Sequence, residues 1–194
     1  MSKMKRSEKG LLTPDNCVVA LIDHQPQMLF GVSNFDRQSI INNTVALAKA
    51  ARVFDLPVVL STVESKSFSG NIWPQIKAVF PNQVPIERTS MDAWDDKNFV
   101  AAIEKSGRKK IVLAGLWTET CVALPTIQAI HDGYEIYVVE DCCGDVSQLA
   151  HDNAQNGLQH FFRPNRRMHL PGDLKQCLQA GNLLLQVDHV GMAV

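Results

Sequence analysis

The stretch Ile111-Val-Leu-Ala-Gly-Leu-Trp-Thr-Glu-Thr-Cys-Val-Ala-Leu-Pro-Thr-Ile-Gln-Ala-Ile-His-Asp-Gly-Tyr-Glu-Ile-Tyr-Val-Val139 contains a complete repeat of one kind of fold. Ile111 to Ala114 is an unbroken apolar run of strand length. Val122 to Ile130 carries helical spacing, Asp132-Gly133 breaks the chain, and Tyr134 to Val139 is a second apolar run. Strands that are apolar throughout are covered on both faces, which indicates a parallel sheet between helices.

The same alternation extends outward. Cys17 to Ile22 and Pro57 to Leu60 read as strands, with a helix from Ile41 to Phe54 between them. Ile72 to Phe80 reads as a short helix stopped by Pro81, and Val84-Pro-Ile86 as the start of a weaker strand. Asp95 to Lys105 reads as a helix whose acidic first turn and basic last turn complement its dipole. No repeat or linker divides the chain, so residues 1–194 are expected to form one doubly wound α/β domain. Residues 1–14 are a polar leader. The tail 157–194 is atypical: it has no convincing period, a helix is conceivable from Asp173 to Leu185, and no good final strand is visible.

Bulk composition narrows the function. A formal net charge of -1 gives no broad basic field for nucleic acid or anionic lipid. No apolar stretch approaches a membrane span, and Met1 to Gly10 lacks the apolar core of a signal or anchor. The five cysteines (Cys17, Cys121, Cys142, Cys143 and Cys177) lack zinc-type spacing. This suits reduced thiols and a cytoplasmic protein.

Cys121 is the most informative residue, because it falls on the turn from a strand into a helix. Unpaired N–H groups and the positive end of the helix dipole stabilise an anion there, so its thiol pKa is expected to fall. A bland alternative makes Cys121 a small apolar residue in a packed turn. Its company favours chemistry. In open α/β sheets, ligands sit beyond the carboxyl ends of the strands. Asp23 ends the first run, Arg88 follows the Val84–Ile86 run, and Cys121 follows the Ile111–Ala114 run. A carboxylate to take the thiol proton and a cation to hold both anions match the nucleophile, base and orienter of covalent catalysis.

Leu21-Ile-Asp-His-Gln25, Ile86-Glu-Arg-Thr-Ser-Met-Asp-Ala-Trp-Asp95 and Leu113-Ala-Gly-Leu-Trp-Thr-Glu-Thr-Cys-Val122 resemble the isochorismatase-like cysteine hydrolases, most closely their YcaC-like branch. The resemblance runs from about Asp15 to Asn156. It implies a three-layer α/β/α, Rossmann-like fold with a mainly parallel sheet, and a homo-oligomer. It also implies a triad of Asp23 as general base, Arg88 as cation and Cys121 as nucleophile. A non-proline cis peptide, expected at Trp117–Thr118, would aim N–H groups, including that of Cys121, into an oxyanion hole. Pro125, which has no N–H for the Cys121 carbonyl, fits that picture. Many relatives carry Lys where Arg88 stands. Arg cannot exchange a proton near neutral pH, so Arg88 is expected to be an electrostatic anchor.

Other signals are weaker. Nicotinamidase relatives bind a metal through Asp-x-His and a further His after the second strand, whereas Ser61 to Gly70 has no His and one carboxylate, so no metal is expected. No Gly-x-Gly-x-x-Gly follows the first strand, which argues against a dinucleotide, and no other cofactor is expected. His24 is expected to point away from Asp23, since strand neighbours face opposite sides. The adjacent pair Cys142-Cys143 reads as core, and Trp117, Trp94 and Phe68 as either core or the lining of a pocket. The expected activity is hydrolysis of a small amide or related C–N bond through a thioester on Cys121. The rival is a non-catalytic or redox-responsive homo-oligomer that keeps the fold.

Overall fold

The structure, a computed structural model, describes residues 12–161 and 166–168. Its six-stranded sheet has the order β3-β2-β1-β4-β5-β6, and every pairing is parallel. The strands are β1 (Cys17–Ile22), β2 (Val58–Val63), β3 (Ile86–Arg88), β4 (Lys110–Gly115), β5 (Glu135–Val139) and β6 (Arg166–Met168). The chain steps from β1 to β2 and β3, then crosses back to β4 and on to β6. This reversal is the doubly wound pattern, and its switch point lies between the paired strands β1 and β4, whose outgoing connections run to opposite halves of the sheet.

Helices α1 (Pro26–Phe30), α2 (Arg37–Val53) and α3 (Pro74–Val79) lie between the strands of the first half. Helix α4 (Lys97–Lys105) precedes β4, while α5 (Ala123–His131) and α6 (Gln148–Phe161) follow β4 and β5. Asp36 and Asp96 cap α2 and α4 by accepting from Ser39 N–H and from Asn98 and Phe99 N–H. The Asp36 cap explains why α2 begins ahead of the apolar period at Ile41. All residues of β1 and β4 are buried, as their unbroken apolar runs require.

The tail needs a partial correction. Helix α6 continues through Asn156 to Phe161, and Arg166–Met168 pairs with Tyr137, Val138 and Val139 as an edge strand. A last strand therefore exists where the sequence offered no apolar run. The leader up to Leu11, the possible helix from Asp173 to Leu185 and Cys177 lie outside the described residues. Among the described residues no helix is long and apolar enough to cross a membrane.

Candidate active site

Sheet register brings the predicted triad together. Ile22 of β1 stands beside Ser61 of β2 and Gly115 of β4, while Val63 of β2 stands beside Arg88 of β3. Asp23 comes one step after Ile22, and its N–H donates to Ser61 O at 3.0 Å. It holds a left-handed φ of 58°. That conformation costs an ordinary residue about 1–2 kcal/mol, although Asp tolerates it better than most.

The Arg88 guanidinium meets the Asp23 carboxylate in an ion pair from which solvent is wholly excluded, Nη2 donating to Oδ2. Its Nε donates to Ser61 Oγ at 3.2 Å. Nη1 donates to the carbonyls of Ser90 and Met91, the latter at 3.2 Å. Asp23 Oδ1 has no partner of regular hydrogen-bond geometry, and the Cys121 thiol is a hydrogen-bonding neighbour of the same carboxylate.

Cys121 lies in a π-helical turn, Thr118–Val122, which leads into α5. The turn folds closely onto β1. A Cβ on Gly115 would come within 3.0 Å of Ile22 O and of Val122 Cγ2, so the approach needs a residue without a side chain. Pro125 falls in the first turn of α5, where a missing N–H costs little.

Two expectations about the nucleophile are corrected. The thiol does not rest as a thiolate: burial at 1% exposure pushes its pKa up to about 12, and the Asp23 charge adds to the rise. Arg88 and the hydrogen bond to the Trp117 backbone pull it down without prevailing. Loss of water therefore outweighs the helix end. Burial also raises Asp23, to about 6, with Arg88 offsetting part of the effect. Near neutral pH the site thus holds an ionised Asp23 beside a neutral thiol.

The second correction concerns the turn. The cis bond is Leu116–Trp117, one residue earlier than expected. Leu116 still pairs with the sheet, donating to Ile22 O and bridging to Gly144, so the chain reverses immediately after it. Cys121 N–H donates to Trp117 O at 2.8 Å and Thr118 N–H to Gly144 O at 3.2 Å. Among the described residues, Trp117 N–H has no such acceptor.

His24 does point away: its Nε2 lies 3.2 Å from Cys142 O and its ring packs edge-on against Trp73. Burial lowers its pKa to about 4. Trp94 is core, packed on Phe99 and Tyr134 with its Nε1 on Asp132. Trp117 is half-buried and donates Nε1 to Met28 O at 3.0 Å, whereas Phe68 is exposed. Cys142 and Cys143 are buried, as the core reading expects. An apolar surface groove lies among α1, α2 and α3, lined by Leu29, Phe30, Ile41 and Trp73 and by no member of the predicted triad. Among the described residues no group of three or more His, Cys, Asp or Glu could hold a metal ion.

Sequence reading missed several supports. Ser61 accepts from Arg88 Nε, and its signal was a pair of hydroxyl residues, Ser61-Thr62, inside an otherwise apolar strand. Thr118 Oγ1 lies 2.9 Å from His151 Nδ1, tying the turn that carries Cys121 to α6. Gln128 on α5 donates to Asp92 and Asp95, linking the helix that follows Cys121 to the loop that holds Arg88. Neither pairing has a signature in spacing.

A model of the isochorismatase domain matches residues 17–166. The chain is 34% identical over 148 residues to the probable hydrolase YcaC of Escherichia coli, covering 76% of this chain and 71% of that protein. Two solved structures are similar with a TM-score of 0.78. One is YcaC from Pseudomonas aeruginosa with hexane-2,5-diol and covalent acrylamide, at 30% identity over 87% of this chain and 81% of that one. The other is the Escherichia coli YcaC gene product, an octameric hydrolase of unknown specificity, at 32% identity over 81% and 77%.

Proposed function

The chain belongs to the isochorismatase family of hydrolases, and within it we propose a cysteine hydrolase that cleaves a small amide or related C–N bond through a thioester on Cys121. The observation that carries this reading is the buried Arg88–Asp23 ion pair with the Cys121 thiol a hydrogen-bonding neighbour of the same carboxylate.

The resting protonation states dictate the order of events. Sγ attacks the substrate carbonyl as its proton moves to Asp23, because a free thiolate would be costly at a buried site beside a carboxylate. The carbonyl electrons move onto oxygen, and Trp117 N–H is the free backbone donor for that oxyanion. Collapse breaks the C–N bond, with the Asp23 proton going to the leaving nitrogen. Water then gives a proton to Asp23 and attacks the thioester; the C–S bond breaks and the proton returns to sulfur. Arg88 has no proton to exchange and acts as a fixed charge, orienting Asp23 throughout.

We also propose a cytoplasmic homo-oligomer acting on a small molecule. The octameric relative supports the assembly. A screen of small neutral amides, with intact-mass detection of an acyl adduct on Cys121, tests the function. Turnover lost in Cys121→Ala supports it. Slow, stoichiometric modification without product would favour the non-catalytic reading instead.

A further inference from the structure

The charge balance around Cys121 restricts what can approach it. Arg88 has five N–H donors. One is bonded to Ser61, two to the Ser90 and Met91 carbonyls and one to Asp23. No adjacent pair remains to grip a carboxylate in the two-pronged way that guanidinium favours.

The surroundings of Asp23 are rich in negative charge. Asp23 is bonded to it, and Glu87 adds negative charge at Asp23. Asp92 also feels the Arg88 charge. Glu87 is held in place by Thr62 Oγ1 at 2.8 Å and Ser65 N–H at 2.7 Å, and Asp92 by Trp94 N–H and Gln128, both at 2.8 Å. Arg88 is thus ion-paired to Asp23 with Asp92 within its field, Glu87 adds to the negative charge at Asp23, and the oxygen without a partner, Asp23 Oδ1, belongs to the carboxylate beside the nucleophile. Segments leaving the strand ends carry exposed apolar side chains: Phe68 (60% exposed), Met91 (50%) and, on α5, Leu124 (39%).

We infer that the site is selective for an uncharged carboxamide, one with no acidic group beside the scissile bond. This rests on the hydrolytic reading above and adds the substrate's charge to it. A second anion beside Asp23 would meet a like charge with little water to screen it and no spare cation to hold it.

Iodoacetamide and iodoacetate test the charge requirement with near-identical shapes. Each forms a C–S bond with loss of iodide, and the thiol proton leaves to the base. Rates at Cys121 are measured by peptide mapping on the full folded chain, and the amide-to-acid rate ratio is compared with that for the same residue in denaturant. The folded ratio should exceed the unfolded one at least tenfold. Asp23→Asn removes the charge and releases an Arg88 donor, so the excess should vanish or reverse. Equal ratios in the folded and unfolded parent, or no labelling by either reagent, would overturn the inference whether or not the variant folds.

Propionamide and succinamate separate this inference from the hydrolytic reading. Hydrolysis of both at equal rates contradicts charge selection and leaves hydrolysis standing. Turnover of neither, with the labelling ratio as expected, contradicts hydrolysis and leaves the charge requirement standing.

Discussion

Arg88 Nη2 bonds one oxygen of Asp23, Oδ2, and leaves the other without a partner of regular geometry. The cation thus fixes the carboxylate and keeps much of its negative charge, while the remaining oxygen stays available as a base. Burial works against ionisation at both ends of the proton path, raising Asp23 to about 6 and Cys121 to about 12.

Replacing Arg88 separates charge from geometry. Arg88→Lys keeps a cation but loses the contacts to Ser61 and to the Ser90 and Met91 carbonyls, so kcat/KM should fall about tenfold, equivalent to about 1.4 kcal/mol. Arg88→Met leaves Asp23 unpaired. It should raise the Asp23 pKa and move the acidic limb of the pH–rate profile upward. An unmoved limb in Arg88→Met would place Arg88 outside the mechanism.

Asp23→Asn keeps the side-chain shape but cannot take a proton. General-base loss typically costs about 10²–10⁴ in rate. Stability offers a second readout. The folded pKa of Asp23 lies above the unfolded value, so the native state binds more protons between about pH 4 and 6. The Asp23 contribution is therefore full below that window and is lost as pH rises through it. Urea unfolding should show this downward slope in the parent minus the variant; a flat difference would contradict the shifted pKa.

Gly31 is expected to set the position of Trp117. A Cβ there would meet Trp117 Cζ2 at 3.0 Å and Nε1 at 3.1 Å, while Nε1 is tethered to Met28 O. Gly31→Ala should shift the indole, and with it the free Trp117 N–H. Steady-state kinetics should show kcat reduced about tenfold with little change in KM, and Trp117→Phe should partly restore it in the double variant. Unchanged kcat in Gly31→Ala would separate the indole from the oxyanion site.

Metal removal should be without effect. Extensive dialysis against a chelator is expected to leave activity and Tm unchanged, because the segment after β2 offers Glu64 and no histidine. Activity lost with a stoichiometric ion, and regained on its return, would reveal ligands beyond those recognised.

The strands that carry Asp23 and Cys121 were legible because β1 and β4 are buried on both faces and read as unbroken apolar runs. Helix α6 was hidden for the opposite reason. Its inward positions His151, Gln155 and Leu158 have helical spacing, but two of the three are polar, so no hydrophobic period appears. The triad could be named from strand ends and resemblance. The state of its thiol could not, because spacing places Cys121 near a helix start and does not reveal that the site excludes water. The cis bond lies one residue before the expected position, at Leu116–Trp117, a detail that residue identity does not encode.

The most direct test of a neutral thiol activated by Asp23 is the pH dependence of Cys121 alkylation by iodoacetamide, followed by peptide mapping in the parent and Asp23→Asn. In the parent the rate should rise through about pH 6 and level off, because the reactive form is thiol plus ionised carboxylate. The variant should lose that limb and react only as the pH climbs toward the thiol's own high range. A single limb at the ordinary thiol pKa of about 8.5, identical in both proteins, would contradict the account.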